Sequence, residues 1–259
     1  MELRQPLPRS QALAISFIAP VLLIAVWCIL TYGGFIGQET LPTPTEVVRG
    51  IFQLYYQHDL AMSVWVSTRR IVLAFLLAAA VALPLGVFMG AFEPVNRFFE
   101  PIMAPLRYMP ISAFIPLLLF YFGIDESQKI AFLFIGVFVY LLPVVVFSIR
   151  AVPEELVQTA LTLGASKLQV IKSVLVPAAL PDIFDSFRVM NAILWTYVIL
   201  AEAVNPGGGL GNMVQIATRY QKVSWSFAGL IVIGGIGLIT DFILRGISGL
   251  LFRWREKTF

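Results

Sequence analysis

Long apolar stretches alternate with short polar ones along this chain. Six of them approach or exceed the roughly 20 residues that a helix needs to cross a lipid bilayer. The pattern predicts an all-α, polytopic membrane protein with about six transmembrane helices. The predicted spans are residues 13–34, 70–92, 102–123, 129–149, 183–204 and 227–247.

The first span has an alternative reading as the core of a secretory signal peptide, because Arg4 and Arg9 precede it. However, its apolar run, ISFIAPVLLIAVWCILTYGG, is longer than a typical signal core and has no clear small-x-small cleavage site. We therefore expect residues 13–34 to be a true transmembrane helix that follows a short tail, residues 1–12.

Composition supports a membrane protein over a soluble one. Of the 259 residues, 59% are hydrophobic and 13% are charged, whereas about a quarter of a soluble domain is charged. The net charge of +3 comes from Lys and Arg scattered through loops, so loops facing the cytoplasm explain it better than nucleic-acid binding does. Cys28 and His58 are the only residues of their types, which excludes a disulfide within the chain and a Cys/His metal cluster.

The distribution of positive charge predicts the orientation. With both termini in the cytoplasm, six of the 18 Lys and Arg fall outside and twelve inside, as the positive-inside rule requires. Residues 1–12 and 248–259 are then cytoplasmic, and residues 35–63 are periplasmic. The six external residues are Arg49, Arg69, Arg70, Lys129, Arg219 and Lys222.

The segment 35–63 is predicted to contain an amphipathic helix. Turn prolines come first, and Thr45 ahead of Glu46 indicates the start of the helix. We expect this helix to lie on the outer surface or to pack against the bundle. Its apolar stripe consists of Val47, Val48, Ile51, Phe52, Leu54 and Tyr55.

The third span and its approach are rich in proline, and a proline inside a helix removes a backbone hydrogen bond and bends the helix. Pro94 and Pro101 lie either in the helix or in an interfacial loop before it. Pro110 and Pro116 are predicted to kink the span itself. Because a bent helix can line a pathway or act as a hinge, these two prolines are candidate pathway or gate residues.

Residues 150–182 separate two spans and are far less hydrophobic than either. Pro153 suits the first turn of a helix, and Gly164 is expected to end that helix by adopting a positive φ. Ser166 and Gln169 have the spacing of a capping box for a second helix. The apolar face of the first helix consists of Leu156, Val157, Ala160, Leu161 and Leu163.

The second helix is expected to stop at Pro177 and Pro181. The segment is therefore predicted to form two short helices around a glycine turn on the cytoplasmic side. From the residues alone two readings stay open: a surface for another protein, or an interfacial hairpin without a partner. The polar positions free for a partner are Thr159, Thr162, Ser166, Lys167 and Gln169.

The spacing in this segment resembles the coupling motif of the membrane subunits of ATP-binding-cassette (ABC) importers. That motif has a Glu-Ala-Ala triplet, three residues, Gly, nine residues, Ile, one residue, Leu and Pro. The first two triplet positions and the Ile and Leu positions differ here, and a Gln in place of Glu removes a charge. The corresponding residues are Gln158, Thr159, Ala160, Gly164, Val174, Val176 and Pro177.

The resemblance extends from about residue 64 to 245 and points to permeases of the nitrate, bicarbonate, taurine and sulfonate subfamily. It rests on runs such as YMPISAFIPLLLFYFGIDESQKI, WTYVILAEAV and GGGLGNMV. It implies a type I importer transmembrane fold over residues 64–247. It also implies transport of a small solute by alternating access, with nitrate, bicarbonate, a sulfonate or taurine as candidates.

The resemblance also implies partners. The loop 150–182 would sit in a groove of a separate ABC ATPase subunit that binds ATP and Mg²⁺. A second copy of the permease would complete a homodimer. A periplasmic or lipid-anchored binding protein would deliver the solute. This chain has no GxxxxGK[ST] loop of its own, so we expect neither catalysis nor a cofactor in it. The implied ATPase-coupling residues are Gln158, Thr159, Ala160, Gly164, Ala165, Ser166, Lys167, Val174 and Pro177.

Ionisable residues inside spans are candidate functional residues. Glu202, near the outer end of the fifth span, either lines the translocation path or holds the external loop by hydrogen bonds. The following run NPGGGLGN is interpreted as a tight external turn near the pathway mouth, where a binding protein could dock, and Gly208 and Gly209 in it are candidate gate residues.

Other charged and small residues have simpler explanations. Asp182 and Asp185 are expected to pair locally with Arg188, and Asp241 with Arg245. Arg69 and Arg70 are interpreted as interface anchors, with attraction of an anion to the outer mouth as the alternative. Three glycines of the last span would let helices approach closely, either between two subunits or only within the chain: Gly234, Gly235 and Gly237.

Two other classes of membrane protein are less consistent with the sequence. A secondary transporter often shows internal repeats with paired broken helices, and the two halves of this chain show no convincing repeat. A membrane-embedded enzyme needs clustered His, Asp or Glu within its spans, and the single histidine lies in an external loop.

Overall fold

The computed structural model describes residues 8–204 and 207–253, and every regular element in these ranges is helical. The outer parts of both predicted tails, residues 1–7 and 254–259, lie outside the described residues, as do Asn205 and Pro206 of the glycine-rich turn. The helices are α1 (Arg9–Tyr32), α2 (Pro44–Gln57), α3 (Leu60–Ala91), α4 (Glu93–Leu106), α5 (Ile115–Phe122), α6 (Glu126–Arg150), α7 (Glu154–Thr162), α8 (Lys167–Val170), α9 (Val176–Ala203), α10 (Leu210–Arg219) and α11 (Val223–Leu251).

Two short irregular helices complete this order. A 3-10 turn, Ile111–Phe114, leads into α5, and a π-helical turn, Ile171–Leu175, joins α8 to α9. The described residues contain five helical segments that are long and apolar enough to cross a membrane, or six if the bent pair α4 and α5 counts as one span. The five are Ala14–Tyr32, Leu60–Ala91, Glu126–Arg150, Lys167–Ala203 and Val223–Leu251.

The predicted third span is not one bent helix. The segments Glu93–Leu106 and Ile111–Phe122 meet at 91°. Pro110 caps the 3-10 turn at this break, and Pro116 lies in the first turn of α5, where its missing N–H costs little. Pro110 thus marks a change of direction, whereas the predicted kink at Pro116 is wrong.

The earlier prolines lie in a helix and not in a loop. Pro94 occupies the first turn of α4, and Pro101 and Pro105 lie inside that helix. The reading of Pro94 and Pro101 as part of an interfacial loop is therefore wrong. Helices of membrane proteins tolerate interior proline where neighbouring groups satisfy the freed carbonyls.

The chain divides into two compact units. The first contains the residues up to Leu60 together with Val214–Ile231, and the second contains Ala61–Met213 and the residues from Val232 onward. Both candidate sites described below lie in the second unit.

In the first unit, α2 begins two residues earlier than expected. Its cap is Thr43 and not Thr45: the Thr43 hydroxyl accepts a hydrogen bond from the Glu46 N–H at 3.3 Å, and the Thr43 N–H donates to Glu46 Oε2 at 2.9 Å. This is a capping box, which needs a Glu or Gln three positions after the cap. Thr45 stands only one position before Glu46 and cannot form it.

Only one side of the predicted α2 stripe is buried. Val47 and Leu54 are covered, together with Gly50, whereas Val48, Phe52 and Tyr55 are exposed. The packing partner within this unit is the start of α11, where the Trp225 indole N–H donates to Gln53 Oε1 at 2.8 Å. A second, exposed apolar side of α2 is consistent with a helix at a membrane surface.

The second unit is built around α6, which packs along α9. Buried side chains lie on all sides of α6, including Phe132, Leu133 and Leu141, as expected for a helix in the interior of a bundle. From α9, Ile183, Leu194 and Val198 are among the side chains that complete this core.

An ion pair links α9 to α11. Arg188 Nε and Nη2 donate to Asp241 Oδ1 and Oδ2, both at 2.8 Å. The sequence predicted pairs within each helix, and these attractions are also present, because Asp185 attracts Arg188 and Arg245 attracts Asp241. The flat guanidinium fork fits both oxygens of one carboxylate, and this geometry joins Arg188 to Asp241 across the two helices.

Within the described chain, close helix approach occurs at two glycines of α3 and not at Gly234 or Gly235, for which pairing between subunits stays a prediction. A Cβ placed on Gly86 or Gly90 of α3 would lie 2.7 Å from the Cβ of Val145 or Ile149 of α6, respectively. Around Gly234 and Gly235 a Cβ would meet nothing within 4 Å in the described chain, and at Gly237 it would make an ordinary contact with Trp195 at 3.5 Å. The glycines of α3 therefore determine how near α3 lies to α6.

We expect Gly90→Leu to destabilise the protein by about 2 kcal/mol, because a side chain there must push α3 away from α6. The matched control is Gly235→Leu, which places the same side chain in open space. The measurement is the fraction of purified protein that stays monodisperse after heating in detergent. Equal heat resistance of the two variants would contradict the close approach.

Candidate functional site

The predicted helical hairpin is present, and its glycine turn has a defined geometry. Gly164 has φ +86°, which a residue with a side chain rarely adopts. Its N–H donates to the Leu161 carbonyl at 3.0 Å, and the Ala165 N–H donates to the Ala160 carbonyl at 3.0 Å. These two bonds form a Schellman motif, which satisfies carbonyls at the end of α7.

The capping box of the second hairpin helix is also confirmed. The Ser166 hydroxyl accepts from the Gln169 N–H at 3.4 Å, while the Ser166 N–H donates to Gln169 Oε1 at 2.7 Å. Pro153, predicted in the first turn of α7, lies one position earlier, at its N-cap.

The hairpin does not end at its prolines. The π-helical turn carries the chain from α8 directly into α9, with Pro177 in the first turn of α9 and Pro181 inside that helix. Pro177 needs no N–H partner there. The predicted stop at Pro177 and Pro181 is therefore wrong, and α8 is the first turn of a continuous helical segment, Lys167–Ala203.

Several of the predicted coupling residues lie together. Ala160, Gly164, Ala165 and Val174 line one groove between α7 and the π turn, although ten positions separate Gly164 from Val174. The other predicted residues are exposed on the hairpin around this groove: Gln158, Thr159, Ser166, Lys167 and Pro177.

The tip of the hairpin exposes large apolar side chains. Leu163 is 82% exposed and Leu168 is 58% exposed, and no residue of α7 is fully buried. At the base, Val170 and Ile171 are buried and line a cavity with Ala91 and Phe92 from the end of α3. The hairpin thus has a packed base and a free apolar tip flanked by polar residues, as an interaction surface has.

A second candidate site surrounds Arg70, which the sequence analysis had interpreted as an interface anchor. That interpretation is wrong, because the side chain is 0% exposed. Its Nε donates to Glu126 Oε2 at 2.8 Å, and its Nη1 donates to Glu202 Oε1 at 2.7 Å and to the Gly208 carbonyl at 2.8 Å. Its Nη2 donates to Glu126 Oε1 and, at 2.9 Å, to the Gly207 carbonyl.

Glu202 is fully buried on the other side of Arg70. Ser67 Oγ donates to Glu202 Oε1 at 2.8 Å, and the Gly211 N–H donates to Oε2 at 2.8 Å. The Ser67 hydroxyl in turn accepts from the Leu210 N–H at 2.9 Å. Of the two roles considered for Glu202, this geometry corresponds to holding the loop by hydrogen bonds, and a role in the translocation path stays a prediction.

The glycine loop, residues 207–211, follows α9 and begins α10. Gly208 and Gly209 have φ +73° and +106°, and a Cβ on Gly209 would fall on the Glu202 carboxylate. Lys129 is 1% exposed, and its Nζ lies 3.7 Å from Glu126 Oε1. We call Ser67, Arg70, Glu126, Lys129 and Glu202 the Arg70 network.

Glu202 is the one member of this network that the sequence predicts as a functional candidate. The hydrophobic pattern placed Arg70 at the outer edge of a span, whereas α3 begins at Leu60 and carries Arg70 into the helix. The available signal was the presence of Arg70 and Lys129 beside long apolar runs, since charges within a span need partners. Among the described residues no group of three or more His, Cys, Asp or Glu is placed to hold a metal ion.

We expect Gly209→Ala to be much more damaging than Gly208→Ala. Both replacements oppose a positive φ, which costs about 1–2 kcal/mol, but only the Gly209 methyl would also displace Glu202 from Arg70 and Ser67. The measurement is heat resistance of the two purified variants in detergent. Equal losses would mean that the loop does not rest against Glu202.

Comparison with known proteins identifies the family. Residues 82–255 match the family described as the inner membrane component of binding-protein-dependent transport systems. The chain is 32% identical over 253 residues to a putative ABC transporter permease protein of Methanocaldococcus jannaschii, which covers 95% of this chain and 94% of that one. It is 30% identical over 238 residues to the putative aliphatic sulfonates transport permease protein SsuC of Bacillus subtilis, with 92% and 86% covered.

A solved structure shares the fold. An inward-facing structure of the MetNI methionine ABC transporter matches with a TM-score of 0.62 and 20% identity, over 75% of this chain and 94% of that chain. The predicted all-α fold of ABC importer permeases is thus confirmed. This multi-pass membrane chain belongs to the inner-membrane components of binding-protein-dependent transport systems, and it is a non-catalytic permease subunit of an ABC importer.

Proposed function

We propose that the α7–α8 hairpin is the surface at which a separate ATPase subunit drives this permease, and that two copies of the chain enclose the translocation pathway. The observation that carries the proposal is the hairpin itself. Its turn is fixed by a Schellman motif and a capping box, and its tip exposes Leu163 and Leu168. A rigid protrusion can transmit a displacement that a flexible loop would absorb.

Docking through this hairpin would be mainly apolar. Gln158 stands where the family motif has a glutamate, and its amide donates to Glu154 Oε1 at 2.6 Å within α7. A neutral side chain that is already paired supplies no ionic contact, so Leu163, Leu168 and the groove around Gly164 provide the apolar contacts, and the exposed Lys167 remains as a charged one. The ATP and Mg²⁺ would be bound by the ATPase subunit.

For the solute, we propose a small anion of the sulfonate class. Support comes from the relative of Bacillus subtilis that is named for aliphatic sulfonates. A periplasmic or lipid-anchored binding protein would bring the solute to the outer face. Nitrate, bicarbonate and taurine are the competing solutes to include in an uptake assay.

The proposal places the hairpin and both termini in the cytoplasm. Introducing a cysteine at the exposed position Lys167 (Lys167→Cys) in a Cys28→Ser background tests this orientation. A membrane-impermeant thiol reagent should label the cysteine only in inside-out vesicles. Labelling of intact spheroplasts would reverse the orientation and remove the hairpin from the ATPase.

Purification after mild detergent extraction tests the function. The chain should co-elute with an ATPase subunit, and the complex should hydrolyse ATP. Leu163→Asp with Leu168→Asp should abolish co-elution, whereas Tyr220→Asp, at an exposed position between α10 and α11, should retain it. Solute flux through the lone reconstituted chain would favour a channel or a secondary carrier instead.

A further inference from the structure

The backbone of the glycine loop is held by side chains from two neighbouring helices. The carbonyls of Gly207 and Gly208 accept from Arg70 of α3. The N–H groups of Leu210 and Gly211 donate to Ser67 of α3 and to Glu202 of α9. The loop is therefore attached on both sides of its two glycines with positive φ.

This attachment also satisfies the start of α10. The first N–H groups of a helix have no partner within it, and here Ser67 and Glu202 accept two of them. The Glu202 carboxylate is favourable at that position because the N-terminal end of a helix carries partial positive charge.

The network requires an arginine and not merely a positive charge. A guanidinium has five N–H donors in a planar fork, and in Arg70 all are used, on two carboxylates and two carbonyls. A lysine ammonium has three donors around one point. It cannot reach Glu126, Glu202 and both loop carbonyls at once.

We propose that Arg70 is the positioning residue of the glycine loop, and that the loop keeps one shape during transport. Glycine is then needed at Gly208 and Gly209 for their positive φ and for the close approach to Glu202, and not for the flexing of a gate. The exposed part of this fixed loop, Gly207 and Gly208 beside the 39%-exposed side chain of Glu126, is a contact for the solute-binding protein. This last step rests on the function proposed above.

Hydrogen–deuterium exchange of the intact chain tests the positioning role. In Arg70→Lys we expect exchange about tenfold faster in peptides that cover residues 207–213, with no change in the buried middle of α6. Arg107→Lys is the matched control, since Arg107 pairs with Glu100 in a partly exposed contact at 2.7 Å. Unchanged exchange in the loop would overturn the proposal, and so would faster exchange throughout the chain.

Ser67→Ala provides a second, milder variant in case Arg70→Lys does not fold. It removes only the hydroxyl that joins Glu202 to the Leu210 N–H. The same loop peptides should exchange faster, with smaller amplitude. If they keep the wild-type rate, the network does not hold the loop.

The functional step is tested in the complex reconstituted in liposomes. ATP hydrolysis is measured with and without the binding protein purified from the same cells. Arg70→Lys should lose the stimulation by the binding protein while retaining the co-purifying ATPase subunit. Full stimulation despite a loosened loop would overturn the docking role. If no ATPase subunit co-purifies with the wild-type chain, the proposed function is wrong. The exchange result still decides whether Arg70 positions the glycine loop.

Discussion

Replacing Gly164 by proline is expected to abolish solute uptake while leaving the chain inserted in the membrane. Proline fixes φ near −65°, whereas Gly164 has φ +86°. The replacement also removes the N–H that donates to the Leu161 carbonyl at 3.0 Å. The turn between α7 and α8 would be lost, and the groove with Val174 would be lost with it.

The matched variant is Gly164→Asn, because asparagine tolerates positive φ better than other residues with a side chain. We expect it to keep most of the ATP hydrolysis that depends on the assembled complex. The measurement is ATP hydrolysis and uptake in proteoliposomes, with membrane insertion checked by membrane fractionation. Normal uptake by Gly164→Pro would exclude the hairpin as the coupling surface.

Replacing Glu202 by alanine is expected to weaken folding and transport together. It leaves Arg70 buried with one counter-charge fewer, which costs about 3–5 kcal/mol. It also leaves the Gly211 N–H without its acceptor. Glu202→Gln should not restore stability, because both carboxylate oxygens only accept hydrogen bonds here, and an amide presents a donor in place of one of them.

The control for this prediction is Glu100→Gln, which weakens the partly exposed pair with Arg107 and should change stability by no more than about 1 kcal/mol. The measurements are heat resistance in detergent, recovery of the assembled complex, and uptake. Loss of uptake by Glu202→Ala with unchanged heat resistance and assembly would instead place this carboxylate on the translocation path.

The hairpin could be predicted from the sequence because its determinants are local. The turn at Gly164 and the pair Ser166 and Gln169 each involve six consecutive positions or fewer, and the structure has the turn and the capping box that they predict. The helix start at Thr43 has equally local determinants, since its capping box involves only Thr43 and Glu46. The predicted start at Thr45 is wrong because Thr45 is adjacent to Glu46, whereas Thr43 lies three positions before it.

The Arg70 network could not be predicted in the same way. Arg70 is separated from Glu126 by 56 positions and from Glu202 by 132, and nothing in the local sequence pairs these residues. Helix length added to the difficulty. The hydrophobic pattern placed the start of the second span at Arg70, whereas α3 begins ten residues earlier, in a stretch that also contains Ser67.

The break between α4 and α5 shows a third limit. Five prolines in this region indicate irregular backbone. However, the hydrophobic pattern does not distinguish a bent span from two helices that meet at 91°. Proline identifies where the regular hydrogen-bond ladder is interrupted. The direction of the next helix depends on packing, which the local pattern does not contain.

The π-helical turn at Ile171–Leu175 has a consequence for how such importers diversify. A π turn takes in one residue more than an α turn, so deleting a single residue there would convert it to regular helix. Deleting a residue from the regular part of an α-helix rotates everything beyond it by about 100°, whereas deleting the extra residue of the π turn keeps the hairpin in nearly the same angular position around the axis of α9. The chain can therefore gain or lose one residue at this point without changing the direction in which the hairpin points.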